Sequence, residues 1–274
     1  MKKIKETIKF IKKVYLSDNR PWIISTSFGK DSTAVLMLTF LALQELKNEN
    51  NLNKKVYVIN ADTQVDNPIV EKHVVNSINH IKNKIKELDL PVEVHRVKPK
   101  VEETFWSCLI GKGYLPPISQ LRWCTDRLKI RPTTEFIESK IDDYEQVVIL
   151  LGVRKGESDT RDKIMDKHKV ENKVLRLHSS FSNAYVFAPI KDFTTEDVWN
   201  TLLYNGGETP WGTNNNDLHE LYADSNENSA LDTLDKETSR SDGNSRWGCW
   251  TCTVIKKDKS LSGFIESGET WLEP

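Results

Sequence analysis

Trp22-Ile-Ile-Ser-Thr-Ser-Phe-Gly-Lys-Asp-Ser-Thr33 decides the fold. An apolar run over 22–26 has the character of a short strand, and a Gly-Lys-Asp-Ser turn follows at once. Apolar residues then continue at helical length to Leu46. A strand, a tight polar turn and a helix form the unit in which ligands meet the carboxyl end of a parallel strand. The helix N-terminus there presents free N–H groups to an anion. Gly29 lets the backbone approach a phosphate, Ser27 and Ser32 add hydroxyl donors, and Lys30 supplies charge. Asp31 would repel a bare anion, so it makes sense as a group that orients a ligand or helps to hold Mg²⁺. The G-x-x-x-x-G-K spacing of a Walker loop is absent. The bland alternative is a capped turn of no consequence.

Working outward, residues 2–16 place Ile4, Ile8, Ile11 and Tyr15 at helical spacing among lysines, which predicts an amphipathic basic helix. Its bland reading is a solvated lysine face over a core stripe. Residues 56–60 predict a second strand, and a helix should begin at Pro68, a first-turn residue. The valine-rich stretches 92–97 and 147–153 read as buried strands. Residues 184–190 look like another strand, and Thr194 opens a helix with Asp197 placed to close a capping box. Strands alternating with helices imply an α/β fold: a parallel twisted sheet with helices on both faces. The polar run 225–245 reads as a long loop, and the C-terminal part as irregular and cysteine-bearing.

Asp62 ends the second strand in Asn60-Ala-Asp-Thr-Gln-Val-Asp-Asn-Pro68, where it could meet a ribose or a metal, or merely form an Asx-turn. Two cation-rich segments follow. Arg122, Arg127, Lys129 and Arg131 crowd one stretch, and Gly152-Val-Arg154-Lys-Gly-Glu-Ser-Asp-Thr-Arg161 leaves a strand end. Guanidinium groups suit oxyanions because each binds two oxygens at once. The four cysteines are Cys108, Cys124, Cys249 and Cys252, the last two in Gly-Cys-Trp-Thr-Cys. Four thiolates suffice for a 4Fe-4S cluster or tetrahedral zinc; Cys108 beside Phe105 and Trp106 could also be a core residue.

The chain has 274 residues with 39 Lys+Arg against 40 Asp+Glu. At roughly 150 residues per domain this is one large domain or two modest ones, and net charge −1 excludes gross basicity. The longest apolar stretch is about half of what a spanning helix needs, and the N-terminus lacks the apolar run of a secretory signal. The expected location is the cytoplasm, where thiols stay reduced.

Ser-x-Gly-Lys-Asp-Ser resembles the PP-loop of ATP-splitting adenylating enzymes, which include PAPS reductases and thiolating tRNA enzymes; Phe28 stands where many members have glycine. Cys124 to Pro132 and Gly152, Arg154, Glu157, Ser158 and Arg161 look like further elements of PAPS-reductase-like proteins. With Pro189-Ile-x-Asp-Phe-Thr-Thr-Glu-Asp-Val-Trp199, Pro210-Trp-Gly and Gly-Cys-x-x-Cys-Thr, the whole is similar to the DndC and SspD proteins of DNA phosphorothioation.

The resemblance implies an adenine nucleotide alpha-hydrolase-like fold. It implies a basic helix over 1–20, a PP-loop ATP pyrophosphatase domain over 21–205, and a loop and CxxC segment over 206–274 packing on the core. It implies an ATP pyrophosphatase and sulfurtransferase that adenylates a DNA backbone phosphate, with Lys30, Asp31, Arg154 and Arg161 catalytic. Ser27, Gly29, Lys30, Asp31, Ser32, Asp62, Arg122, Gly152 and Arg154 would bind ATP and Mg²⁺. Cys108, Cys124, Cys249 and Cys252 would hold a 4Fe-4S cluster, with zinc as the alternative. Implied partners are DNA without sequence choice, a cysteine desulfurase as sulfur donor and other phosphorothioation proteins, with no membrane. The competing readings are a sulfonucleotide reductase, a tRNA-thiolating enzyme, and a non-catalytic nucleotide-binding regulator.

Overall fold

The computed structural model describes residues 1–156, 174–224, 248–254 and 259–273. The chain divides into two compact units assembled from separated stretches. The first comprises Met1–Asn60, Asn76–Val97 and Thr133–Asn215, and the second Ala61–Val75, Lys98–Pro132 and Asn216–Pro274.

The first unit carries the sheet. Its strands are β1 (Trp22–Ser25), β2 (Val56–Ala61), β3 (Val92–Val97), β4 (Val147–Leu150), β5 (Arg176–Leu177) and β6 (Ala184–Phe187), in the order β3-β2-β1-β4-β6-β5. β1 pairs in parallel with β2 and β4, and β4 with β6; β5 pairs antiparallel with β6. β1 therefore lies centrally, with Trp22, Ile23 and Ile24 buried and Ser25 half-buried, as an apolar run without alternation requires.

Side chains alternate across β1. Ile23 joins Tyr57, Ile59, Val147, Ile149 and Ala184 in a cluster closed by Ile137 of the helix Arg131–Tyr144. Trp22 meets Tyr15 of helix α1 (Lys2–Tyr15) edge-on, with centroids 5.2 Å apart, and Phe10 of α1 meets Phe187 at 5.4 Å. Helices thus cover both faces, as expected. Each such aromatic pair contributes about 1 kcal/mol beyond its buried area. The isoleucine stripe of α1 is buried with Val14 and Tyr15, so its lysines form the solvated face. Helix α2 (Lys30–Asn48) is buried nearly all round, from Ala34 through Phe40 without a break. That matches its even distribution of apolar residues.

Helix α3 (Pro68–Glu87) begins at its proline, and Thr194 and Asp197 form the expected capping box on Thr195–Leu202. The strand read over 147–153 stops at Leu150. The strand read over 184–190 stops at Phe187. The second unit is short-range in character, with π-helical turns at Ser107–Gly111 and Asp126–Ile130 around a small core of Val65, Phe105 and Leu128. No described helix is long and apolar enough to cross a membrane.

Candidate active site

In the first unit, β1 ends at Ser25 and the chain turns through Thr26–Gly29 into α2. Gly29 caps the helix in an extended conformation (φ −74°, ψ 164°) and, being glycine, brings no side chain to the first-turn N–H groups. A glycine-capped helix N-terminus at a central parallel strand is the arrangement that accepts an anion. The hydroxyls bind one another around the turn: Thr26 Oγ1 donates to Ser32 Oγ at 3.3 Å, and Ser32 Oγ donates to the Gly29 carbonyl at 3.0 Å. Ser27 Oγ lies 3.4 Å from Ser32 Oγ.

Phe28 sits at φ +57°, in the left-handed region that favours glycine, with its ring 1% exposed. This explains why a glycine suits that position and how a phenylalanine replaces it. Left-handed backbone costs about 1–2 kcal/mol, and burying an aromatic ring returns about 2–3 kcal/mol.

Lys30 and Arg154 are buried at 5% and 6% exposure. Both approach Asp31: Arg154 Nε donates to Oδ1 at 2.5 Å, and Lys30 Nζ lies 3.7 Å from Oδ2. Arg154 also reaches the Phe193 carbonyl at 3.5 Å and Thr195 Oγ1 at 3.4 Å. Buried cations are costly unless paired, and one carboxylate here faces two. Gly152 passes so close to the first turn of α2 that a Cβ would lie 2.8 Å from the Asp31 carbonyl carbon and the Ser32 nitrogen. The residue expected from sequence to contact nucleotide thus has a steric reason to be glycine. The close approach also explains why β4 stops: the chain leaves the ladder to meet α2. The structure gathers Ser27, Gly29, Lys30, Asp31, Ser32, Gly152 and Arg154. Arg161, with Glu157 and Ser158, lies outside the described residues.

The second unit holds the remaining candidates. Asp62 is 8% exposed, accepts from Gln64 N–H at 3.0 Å as an Asx-turn, and faces Lys98 Nζ at 3.4 Å. Its carboxylate lies with those of Asp66 and Glu71 within 4.8 Å, a trio missed from the sequence although Asp-x-x-x-Asp was visible. Oxygen donors of this kind fit Mg²⁺, and Lys98 and, at 3.8 Å from Asp66, Lys129 offset part of the trio's charge. Among the cations of 122–131, Arg127 and Arg131 both bind Glu103 at 2.7 Å. Arg122 is exposed, and its side chain has no hydrogen bond or ion pair among the described residues.

All four cysteines fall in this unit, and Cys124 and Cys249 pack against the Val65, Phe105 and Leu128 core. Cys108 is fully buried, its Sγ 3.9 Å from the Glu102 carbonyl. Cys249 to Cys252 form a tight turn, with Cys252 N–H donating to the Cys249 carbonyl at 2.9 Å. Among the described residues the sulfurs do not close to within 4.8 Å as a trio. Burial pushes the Cys249 thiol up to about 11, opposed by the nearby Lys129 ammonium and a hydrogen bond from Thr63. A thiolate so poorly solvated is one that a bound cation would stabilise, so the donor set fits a 4Fe-4S cluster or zinc in type.

Together, a central parallel strand feeding a glycine-capped helix beside buried cations defines an α/β protein whose strand-to-helix turn is of the kind that accepts anions. Residues 21–255 match the phosphoadenosine phosphosulfate reductase domain, and the chain belongs to that family. A curated relative, the uncharacterized protein MJ0066 of Methanocaldococcus jannaschii, is 31% identical over 157 residues. The match takes in 57% of this chain but spans only 28% of that relative's length. Among solved structures, the PAPS reductase of Candida auris in its phosphate complex is similar over 79% of this chain and 85% of its own. The TM-score is 0.49 and the identity 14%. The U34-tRNA thiolase NcsA of Methanococcus maripaludis, with its 4Fe-4S cluster, is similar over 85% of this chain and 76% of its own. Its TM-score is 0.43 and its identity 14%. At these values the two structural similarities carry no functional weight.

Proposed function

We propose that this protein is an ATP pyrophosphatase that adenylates a phosphate of the DNA backbone, preparing it for replacement of oxygen by sulfur. The observation that carries the reading is the buried Lys30–Asp31–Arg154 network at the glycine-capped start of α2. In this reading the ATP phosphates lie across Ser27–Ser32. Lys30 and Arg154 offset the charge that develops as pyrophosphate leaves, because positioning and electrostatics do most of the work in such transfers. A non-bridging oxygen of the DNA phosphate attacks the α-phosphorus, the bond to pyrophosphate breaks, and an adenylated phosphodiester forms. The outer sulfur of a persulfide supplied by a cysteine desulfurase then attacks the DNA phosphorus and AMP departs; a thiol reductant cleaves the resulting S–S bond and leaves the sulfur on phosphorus. Asp62 would meet ribose or Mg²⁺, with Arg122 and Arg161 as further anion contacts. Cys108, Cys124, Cys249 and Cys252 would hold the 4Fe-4S cluster or zinc, which when bound would supply a sulfur-handling centre. Other phosphorothioation proteins would choose the target, in the cytoplasm.

A second reading is favoured by the family match: the bound adenylate is a sulfonucleotide and the reaction a reduction. Incubating the protein with ATP and DNA, or with 3′-phosphoadenylyl sulfate and a dithiol, separates the two. Release of pyrophosphate from ATP that depends on the DNA supports the first. Release of sulfite from the sulfonucleotide supports the second.

A further inference from the structure

The second unit exposes an unusual surface. From Thr104 to Thr125 there is no Asp or Glu in 22 residues, and the only charges are Lys112 and Arg122. Both are exposed, and neither side chain has a hydrogen bond or ion pair among the described residues. Over residues 98–131 there are seven Lys and Arg against three acids, in a chain whose net charge is −1. Two of those acids, Glu103 and Asp126, are already held by Arg127 and Arg131.

The same stretch leaves large apolar side chains in solvent: Trp106 is 46% exposed, Ile110 76%, Leu115 77% and Leu121 55%. Trp250 adds a second indole at 54%. A chain of contacts makes this one surface. Trp106 meets Phe105 edge-on, Phe105 stacks on Trp123, and Trp123 Nε1 donates to the Leu115 carbonyl at 3.0 Å. Thr253 Oγ1 donates to the Pro117 carbonyl at 2.7 Å, which ties the cysteine turn carrying Trp250 to the same segment.

We propose that this surface binds single-stranded nucleic acid, with Trp106 and Trp250 as stacking positions for bases and Lys112 and Arg122 as backbone contacts. Exposed indoles beside a cation-bearing stretch that itself carries no acid suit unstacked bases, which offer a π-face, together with their phosphates. Duplex DNA, with its bases stacked inside, would gain only the charge contacts. The inference rests on the proposed reaction for its purpose, since it would bring a nucleic-acid backbone to the unit that holds the thiols. Its binding is measured without turnover.

The test is fluorescence anisotropy of a labelled 20-nucleotide oligothymidylate and of a matched duplex, with and without rising salt, using the full chain. The expected results are tighter binding of the single strand, and a loss of about tenfold in Trp106→Ala. Lys112→Glu, on an exposed side chain that the fold does not need, should weaken binding and flatten the salt dependence by about one contact. ATP binding without DNA should stay at the wild-type level in both variants. Absence of pyrophosphate release in wild type given both ATP and DNA would instead count against the proposed reaction and leave the binding result standing by itself. Three results would overturn the inference: no binding of the oligonucleotide, equal binding in both variants, or self-association that the two substitutions abolish. The last would make the patch a protein interface.

Discussion

Arg154 donates from Nε to Oδ1 of Asp31 at 2.5 Å, joining two residues 123 positions apart behind the start of α2. Asp31 therefore acts inside the protein, as the counter-charge of two buried cations, before any ligand arrives. That gives the aspartate a reason to exist in an anion-binding loop that the sequence left open between orienting a ligand and holding Mg²⁺. Removing its charge takes away the carboxylate to which Arg154 Nε donates. Asp31→Asn should cost about 2–4 kcal/mol in urea denaturation. A double-mutant cycle with Arg154→Met should return a coupling of at least about 1 kcal/mol. Additive effects would mean that the two side chains do not depend on one another.

Gly152 sets a steric limit on the same contact. Gly152→Ala places a methyl against backbone that cannot rotate away, so it should destabilise by about 1–3 kcal/mol and displace the first turn of α2. Nucleotide affinity should fall with stability, as isothermal calorimetry would show. Phe28→Gly makes the opposite trade, relieving backbone strain while emptying a buried ring site. A net loss of about 2–3 kcal/mol is expected, because the cavity cost of about 3–5 kcal/mol exceeds the strain of about 1–2 kcal/mol.

Burial lowers the pKa values of His73 and His178 below the ordinary 6.5, so both prefer to be neutral when folded. The unfolded chain then binds more protons just below pH 6.5, and stability falls as pH drops through that range. Their contribution is fully present above pH 6.5. Urea midpoints should decline between pH 7.5 and 5.5, and the decline should be shallower in His73→Gln. An unchanged slope in that variant would show that His73 is not protected.

Cys249, with its thiol pushed up to about 11 from 9.0, has about a hundredfold less thiolate at pH 8 than an unshifted cysteine. Mass spectrometry of timed iodoacetamide labelling of the metal-free protein should find it correspondingly slow. Loading with zinc or with iron and sulfide should protect it further. Labelling as fast as a free peptide thiol would contradict the burial.

The sequence made β1, its turn and α2 legible because three local signals coincide there: an apolar run, glycine-lysine chemistry and a long apolar helix. The same locality hid what lay beyond it. Nothing near Gly152 announces that it faces the Asp31–Ser32 peptide, and so 147–153 read as one strand. β5 is two residues long and owes its existence to β6, and the π-helical turns follow no periodic pattern. The cations of 122–131 looked like one oxyanion site, yet Glu103, some 24 residues upstream of Arg127, claims two of them. Phe28 was a visible departure whose meaning needed its backbone angle.

The central claim is that ATP is split between its α- and β-phosphates at the start of α2. Exchange of radiolabelled pyrophosphate into ATP, measured for wild type and Lys30→Ala in the presence of oligonucleotide, tests it most directly. Exchange in wild type that disappears in the variant is the predicted result. ADP and phosphate as the products, or exchange unaffected by the loss of Lys30, would contradict it.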